Sequence, residues 1–253
     1  MKEPLAILLL VLLISSCNNA GPANEKTGDL TKSPDSLLMN ENLIQYYREK
    51  GRYDSALEVI QKALLKDSAI PRLWQIKGTL EFENEDTLNA IRSFEKTVSL
   101  SPNRQYLISL GTLYAQTKND KAQSIADSIS ARNPSKVDKD AIFIKGLYYT
   151  YLGNKQKAIG FFDLCVAMDY TFMSAYREKA IALYDQQKFQ EALKVLEKAV
   201  TLQNSFEEGH YWEGRCLEKL NRINDAVDSY KTALQYDPNY IEAKDALARL
   251  GIK

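Results

Sequence analysis

Apolar and small side chains recur along this chain on one dominant period. Alanines at 56, 90, 122, 158, 192 and 226 stand 34, 32, 36, 34 and 34 residues apart. Four residues after each come Ile60, Phe94, Ala126, Phe162, Leu196 and Tyr230, large and apolar in every case but Ala126. A second series, Gly78, Gly111, Gly146, Ala180 and Gly214, lies upstream, preceded at four residues by Trp74, Leu107, Ile142, Tyr176 and His210. A spacing of four keeps two side chains on one helical face. Each period therefore predicts two amphipathic helices, A then B, with small residues where they cross. One such pair leaves an apolar face wet and stacking buries it. The expected fold is all-α, an α-solenoid of six repeats at 37–70, 71–103, 104–138, 139–172, 173–206 and 207–240. Residues 241–251, where Leu247 and Ala248 restart the small pair, are expected to cap it.

Local signals refine the pattern. Gly153 falls in a turn, where φ > 0 suits glycine. Ser101-Pro102 and Asp237-Pro238 read as helix N-caps followed by proline at the first helical position. Pro102, Pro134 and Pro238 close three repeats. The third repeat carries Ala126, Ser128 and Ser130 on its second helix and an irregular turn before Ala122, so it is expected to be the least stable.

The amino-terminal pattern is different. Leu5 to Ile14 is an unbroken run of ten apolar residues, too short to span a bilayer and suited to a signal peptide. It ends in Ile14-Ser15-Ser16-Cys17, which resembles the bacterial lipobox. The resemblance implies a signal peptide over 1–16 and lipidation of Cys17. Asn18, rather than aspartate, leans toward the outer membrane, on its periplasmic face. Residues 18–36 hold one large apolar side chain, Leu30, and read with Cys17 as a tether over 17–36.

The repeat itself resembles the tetratricopeptide pattern W-x₂-L-G-x₂-Y…A-x₃-F…P, held in one register from residue 37 to 240. That resemblance implies an adaptor that binds a peptide or helix along a concave face lined by the A helices. The inward positions of the family fall here on Phe143, Leu147, Tyr151, Arg177, Tyr184, Tyr211 and Arg215, an aromatic and arginine-rich set of the kind favoured in binding hot spots. Earlier repeats place Arg72, Gln75, Thr79, Phe82, Ile108 and Thr112 there. The competing outcome is that these rings pack on one another. A subclass that clamps terminal carboxylates with Lys and Asn would need them where Glu41 and Gln45 stand.

Composition narrows the function. Thirty-three Lys+Arg balance 33 Asp+Glu, without the basic excess that marks a nucleic-acid groove. One histidine and three cysteines leave little for a metal site or a triad, so no metal and no cofactor are expected. Cys165 and Cys216 read as buried free thiols, and His210 as a core substitute for tryptophan. The expected function is a non-enzymatic scaffold lipoprotein of the bacterial envelope, outer-membrane anchored, with a protein or peptide partner. The alternative is an enzyme or ligand-transport protein using the concave pocket. Its carboxylates, Glu83, Asp140 and Asp185, are scattered over separate helices.

Overall fold

A computed structural model describes residues 34–132 and 137–252 of the 253. The signal segment, Cys17 and the tether as far as residue 33 lie outside the described residues, as does Pro134. The described residues form thirteen helices and no strand. They fall into two compact units divided between Tyr114 and Ala115.

The first unit holds α1 (Pro34–Glu49), α2 (Tyr53–Lys66), α3 (Pro71–Glu83), α4 (Thr87–Leu100) and most of α5 (Arg104–Gln116). The second holds the end of α5, then α6 (Lys121–Ala131), α7 (Lys139–Tyr151), α8 (Lys155–Met168), α9 (Met173–Asp185), α10 (Phe189–Leu202), α11 (Glu207–Lys219), α12 (Ile223–Tyr236) and α13 (Ile241–Arg249). Odd-numbered helices up to α11 are the A helices, even-numbered ones the B helices, and α13 follows the last pair. None of the described helices is long and apolar enough to cross a membrane.

The small-to-large pairing read from the sequence is a physical contact. A Cβ built on Gly78 would sit 2.9 Å from the Phe94 ring, on Gly146 2.6 Å from Phe162, and on Gly214 2.5 Å from Tyr230. Each ring belongs to the B helix of the same repeat, 16 residues on, and fills the space the glycine leaves. Among the helix pairs described, these three A–B pairs are the most extensively packed. The three rings are buried to within 1% of full exposure loss, and such burial contributes roughly 1.5–3 kcal/mol per side chain.

Each B helix buries three positions of one face: Ala56, Ile60, Ala63; Ala90, Phe94, Thr97; Ala158, Phe162, Cys165; Ala192, Leu196, Ala199; Ala226, Tyr230, Ala233. Cys165 thus occupies the small-residue position of the face, and its thiol is pushed up to about 12 by burial. Cys165 and Cys216 are both buried and free. α6 follows the same scheme with Ala122, Ala126 and Ile129. At 11 residues it is the shortest of the twelve repeat helices.

The turns between A and B helices depend on a left-handed residue. Gly51, Glu85, Lys118, Gly153, Gln187 and Asn221 all have φ between 58° and 83°, one in each repeat. In the turns at Gly51, Glu85, Gly153, Gln187 and Asn221 the amide of the next residue reaches back to a carbonyl five residues earlier, as Lys188 N does to Leu183 O at 3.0 Å. This satisfies a carbonyl that the helix end leaves open. Sequence flagged only Gly153, because four of the six are not glycine.

The proline-associated caps differ from expectation. Ser101 and Asp237 end α4 and α12: their backbone is extended and their amides donate to Thr97 O and Ala233 O. The following helices start later. Asn103 Oδ1 accepts from Tyr106 N at 2.9 Å at the head of α5, and Tyr240 is the residue before α13. The aspartate serves the linker instead. Asp67, Asp169 and Asp237 each accept the amide two residues on, at 2.8–3.0 Å, folding a tight turn between B and next A helix.

Candidate functional site

Two surfaces built from A helices carry chemistry, one in each unit. In the first unit α1 and α3 bound a cleft of about 420 Å³ lined by Glu41, Gln45, Arg48, Arg72, Gln75 and Thr79 among others. Its arginines are held by acids and an amide of the same two helices. Arg48 Nε donates to Glu83 Oε2 at 2.6 Å, with a second bond from Arg48 to the other carboxylate oxygen. Arg72 Nε donates to Glu41 at 3.3 Å and its Nη1 to Gln75 at 2.9 Å. Burial opposes the Arg48 charge, but the bond to Glu83 outweighs it and raises the pKa.

In the second unit the face is made by α7, α9 and α11, and the expected binding residues separate into two groups. Leu147 is fully buried, and Phe143 packs on Phe162 and Phe172 with ring centroids 5.6 and 5.0 Å apart. Tyr211 is buried among Trp212, Tyr230 and Tyr240. For Phe143, Leu147 and Tyr211 the rings and chains pack inward, so they serve the core and not an open face. Arg177 is also buried, only 2% exposed, bonded to Glu208 of α11 and to its neighbour Glu178, whose Oε1 lies 3.2 Å from Arg177 Nε. This makes Arg177 a fold residue: it neutralises two carboxylates in the interior. Burial dominates at Glu178 and raises its pKa in spite of the arginine.

Tyr151, Tyr184 and Arg215 keep part of their surface. Burial, followed by the nearby Glu178 charge, pushes the Tyr151 hydroxyl up to about 12. Arg215 Nη1 donates to Tyr211 Oη at 2.8 Å and its Nη2 reaches Tyr184 Oη at 3.5 Å. Its guanidinium carbon lies 5.4–5.8 Å from the ring centroids of Tyr184, Tyr211 and Trp212.

A register rule joins successive A helices. Glu41 and Arg72, Arg177 and Glu208, Tyr184 and Arg215, and Glu218 and Arg249 are all bonded pairs 31 residues apart. That spacing is one 34-residue repeat less about one helical turn, so polar pairs at i and i+31 on A helices meet across a repeat boundary. Sequence reading singled out Arg177 but neither of its acids. The i+31 register would have pointed to Glu208.

His210 stands where Trp74 stands four repeats earlier. Trp74 Nε1 donates to the carbonyl of Ser68 at 2.8 Å, and His210 Nε2 bonds the carbonyl of Asn204, also six residues back, at 2.8 Å. The imidazole stacks on Tyr236 and its Nδ1 lies 3.1 Å from Glu213. It does the anchoring task of an indole. Among the described residues no group of three His, Cys, Asp or Glu is placed to hold a metal. Of the carboxylates weighed for catalysis, Glu83 is bonded to Arg48 and Asp185 to Lys155.

Comparison with known proteins agrees with this architecture. Two tetratricopeptide-repeat families match, one over residues 41–105 and the other over 183–250, together more than half of the chain. The chain is 24% identical to the Hsp70-Hsp90 organizing protein of Triticum aestivum over 85% of its own length. It spans only 37% of that relative. A tetratricopeptide repeat protein from Parabacteroides merdae superposes with a TM-score of 0.67 at 19% identity, covering 87% of this chain and 86% of the other. PilW, a type IV pilus biogenesis factor, superposes with a TM-score of 0.57 at 16% identity, covering 85% of this chain and all of PilW. With the 34-residue register, the glycine–aromatic crossings and the two family matches all in agreement, the chain belongs to the tetratricopeptide-repeat proteins.

Proposed function

We propose that this protein is a non-enzymatic adaptor of the bacterial envelope that holds an extended protein segment on the A-helix face of α9 and α11. One observation carries the reading: Tyr184 and Arg215 are partly exposed on successive A helices and mutually oriented, while Phe143, Leu147, Arg177 and Tyr211 of the same register are buried. Aromatic and arginine side chains fixed in this way give large contact area at low entropic cost. The family supports binding over catalysis, and one relative is by name an Hsp70-Hsp90 organizing protein.

The anchor belongs to the same proposal. The apolar run Leu5–Ile14 and the Ile14-Ser15-Ser16-Cys17 box support cleavage before Cys17 and acylation of its thiol. Asn18 favours the outer membrane, with the repeats facing the periplasm. More than one acyl chain is needed for stable attachment.

Affinity purification from detergent-solubilised envelopes tests the adaptor. The wild-type chain is expected to recover a partner that Tyr184→Ala loses while its circular dichroism is unchanged. Equal recovery by both would overturn the assignment of this face. Fatty-acid labelling tests the anchor: label is expected on the wild type and absent from Cys17→Ala, and equal labelling would remove the lipoprotein reading.

A further inference from the structure

Four arginines lie between residues 173 and 249, and three of them are ion-paired. Arg177 is bonded to Glu178 and Glu208, Arg222 to Asp225 at 2.7 Å, and Arg249 to Glu218 at 2.6 Å. Arg215 meets no carboxylate among the described residues. Its partners are two phenol hydroxyls and three ring faces. A guanidinium has five N–H donors, and here one is well used, at 2.8 Å, and a second only weakly, at 3.5 Å.

The rings also take water from around the charge. Trp212 and Tyr211 are buried, and Arg215 itself is only partly exposed. A half-desolvated cation with open donors and no counter-charge gains most from an anion that presents two oxygens in one plane. The rings fix the guanidinium beforehand, so little motion has to be frozen on binding.

We propose that Arg215 is the receptor for a side-chain carboxylate of an extended acidic peptide lying across α9 and α11. The proposal rests on the peptide-binding reading of this face and names what the face selects. A side-chain carboxylate fits better than a chain terminus. Tyr184 on α9 and Tyr151 on α7 are partly exposed and occupy inward positions of the family register on the two preceding A helices, so an extended peptide seated on the arginine has further rings to contact. The ring walls suit the methylene stem of Glu or Asp, with the carboxylate reaching the guanidinium between them.

Selection of random decapeptides displayed with their C-termini fused to a coat protein tests this on the full chain. Fusion removes the terminal carboxylate, so only side chains can supply the anion. The expected result is recovered sequences sharing an acidic residue at one position, and synthetic versions that bind at least tenfold more weakly when that residue is changed to Gln or Asn. This ligand-side change needs no protein variant. On the protein side, Arg215→Gln should remove the tenfold preference and Arg215→Lys should keep only part of it, since an ammonium cannot make the planar two-point contact.

Recovery of binders without acidic preference, still lost in Tyr184→Ala, would overturn the carboxylate site and leave the peptide-binding face standing. Failure of the wild type to recover any binder would remove both readings.

Discussion

The α1–α3 cleft and the α9–α11 face use the same kind of helix in the same register, yet their arginines have different fates. In the cleft, Arg48 is consumed by Glu83, farther along α3, and Arg72 by Glu41 and Gln75 of the lining. On the face, Arg177 is consumed in the same way by Glu178 and Glu208, but Arg215 is flanked by rings and left without an acid. The difference teaches that position within the repeat does not decide whether an arginine serves fold or partner. What decides is which side chain lies within reach: an acid, as Glu83 is for Arg48, Glu41 for Arg72 and Glu208 for Arg177, or a phenol, as Tyr184 is for Arg215.

The largest consequence concerns stability. Arg177→Ala strands Glu178 and Glu208 in the interior, and loss of one member of a buried ion pair costs roughly 3–5 kcal/mol. Arg48→Ala strands the buried Glu83 and should also destabilise strongly, though less, because Arg48 is more exposed than Arg177. Arg215→Ala should cost only about 1 kcal/mol, the worth of cation–π contacts at a partly exposed site. Denaturant titrations followed by circular dichroism measure all three. An Arg215→Ala loss as large as that of Arg177→Ala would erase the distinction between the two arginines.

A smaller effect follows from the glycine crossings beside each surface. Gly214→Ala forces a Cβ to within 2.5 Å of the Tyr230 ring, which packs on Tyr211 behind Arg215. Overpacking of this kind typically costs 1–3 kcal/mol. It should also weaken peptide binding, since the aromatic box moves with Tyr230. Gly78→Ala meets Phe94 at 2.9 Å and should cost less, with no effect on peptide affinity. As a control, Gly160→Ala enters open space and should be neutral or slightly stabilising, because alanine favours helix.

The smallest contrast is a pH effect that only one surface can show. Burial disfavours a charged His210, but the bonds to Glu213 and to the Asn204 carbonyl outweigh it and raise the pKa. A raised folded value means the protonated ring stabilises the fold below the unfolded pKa of about 6.5. That contribution disappears as pH rises through the folded value. Trp74, at the matching position of the first unit, makes its carbonyl bond without titrating. Hydrogen exchange across this window should show α11 loosening as pH rises while α3 does not. In His210→Gln the α11 trend should vanish, and a trend that persists would place its origin elsewhere.

Much of this was legible in the sequence, for a physical reason. A 34-residue register runs through six repeats, and in three of them a glycine opposite a ring makes it a packing constraint: Gly146 and Phe162 had to meet for it to work. The left-handed turns were mostly hidden, because Glu85, Lys118, Gln187 and Asn221 adopt φ > 0 under the constraint of flanking helices and not by intrinsic preference. The proline signals misled because Asp237 folds the linker turn before α13 and does not cap that helix. At the site, family register puts Arg177, Tyr184 and Arg215 on A helices, but whether each is buried depends on the side chains of its own and the adjoining repeat that pack on it. Tyr211 is covered by Trp212, Tyr230 and Tyr240 of its own repeat, and its inward register alone does not show that these rings close over it.

The central claim is that a partner segment binds the α9–α11 face and leaves the α1–α3 cleft alone. Hydrogen exchange of the full chain, with and without a selected acidic decapeptide at saturation, measures it directly. The account predicts slowed exchange in residues 176–188 and 208–220, with residues 41–50 and 72–83 unchanged. Slowed exchange confined to α1 and α3 would contradict it and move the binding site to the cleft.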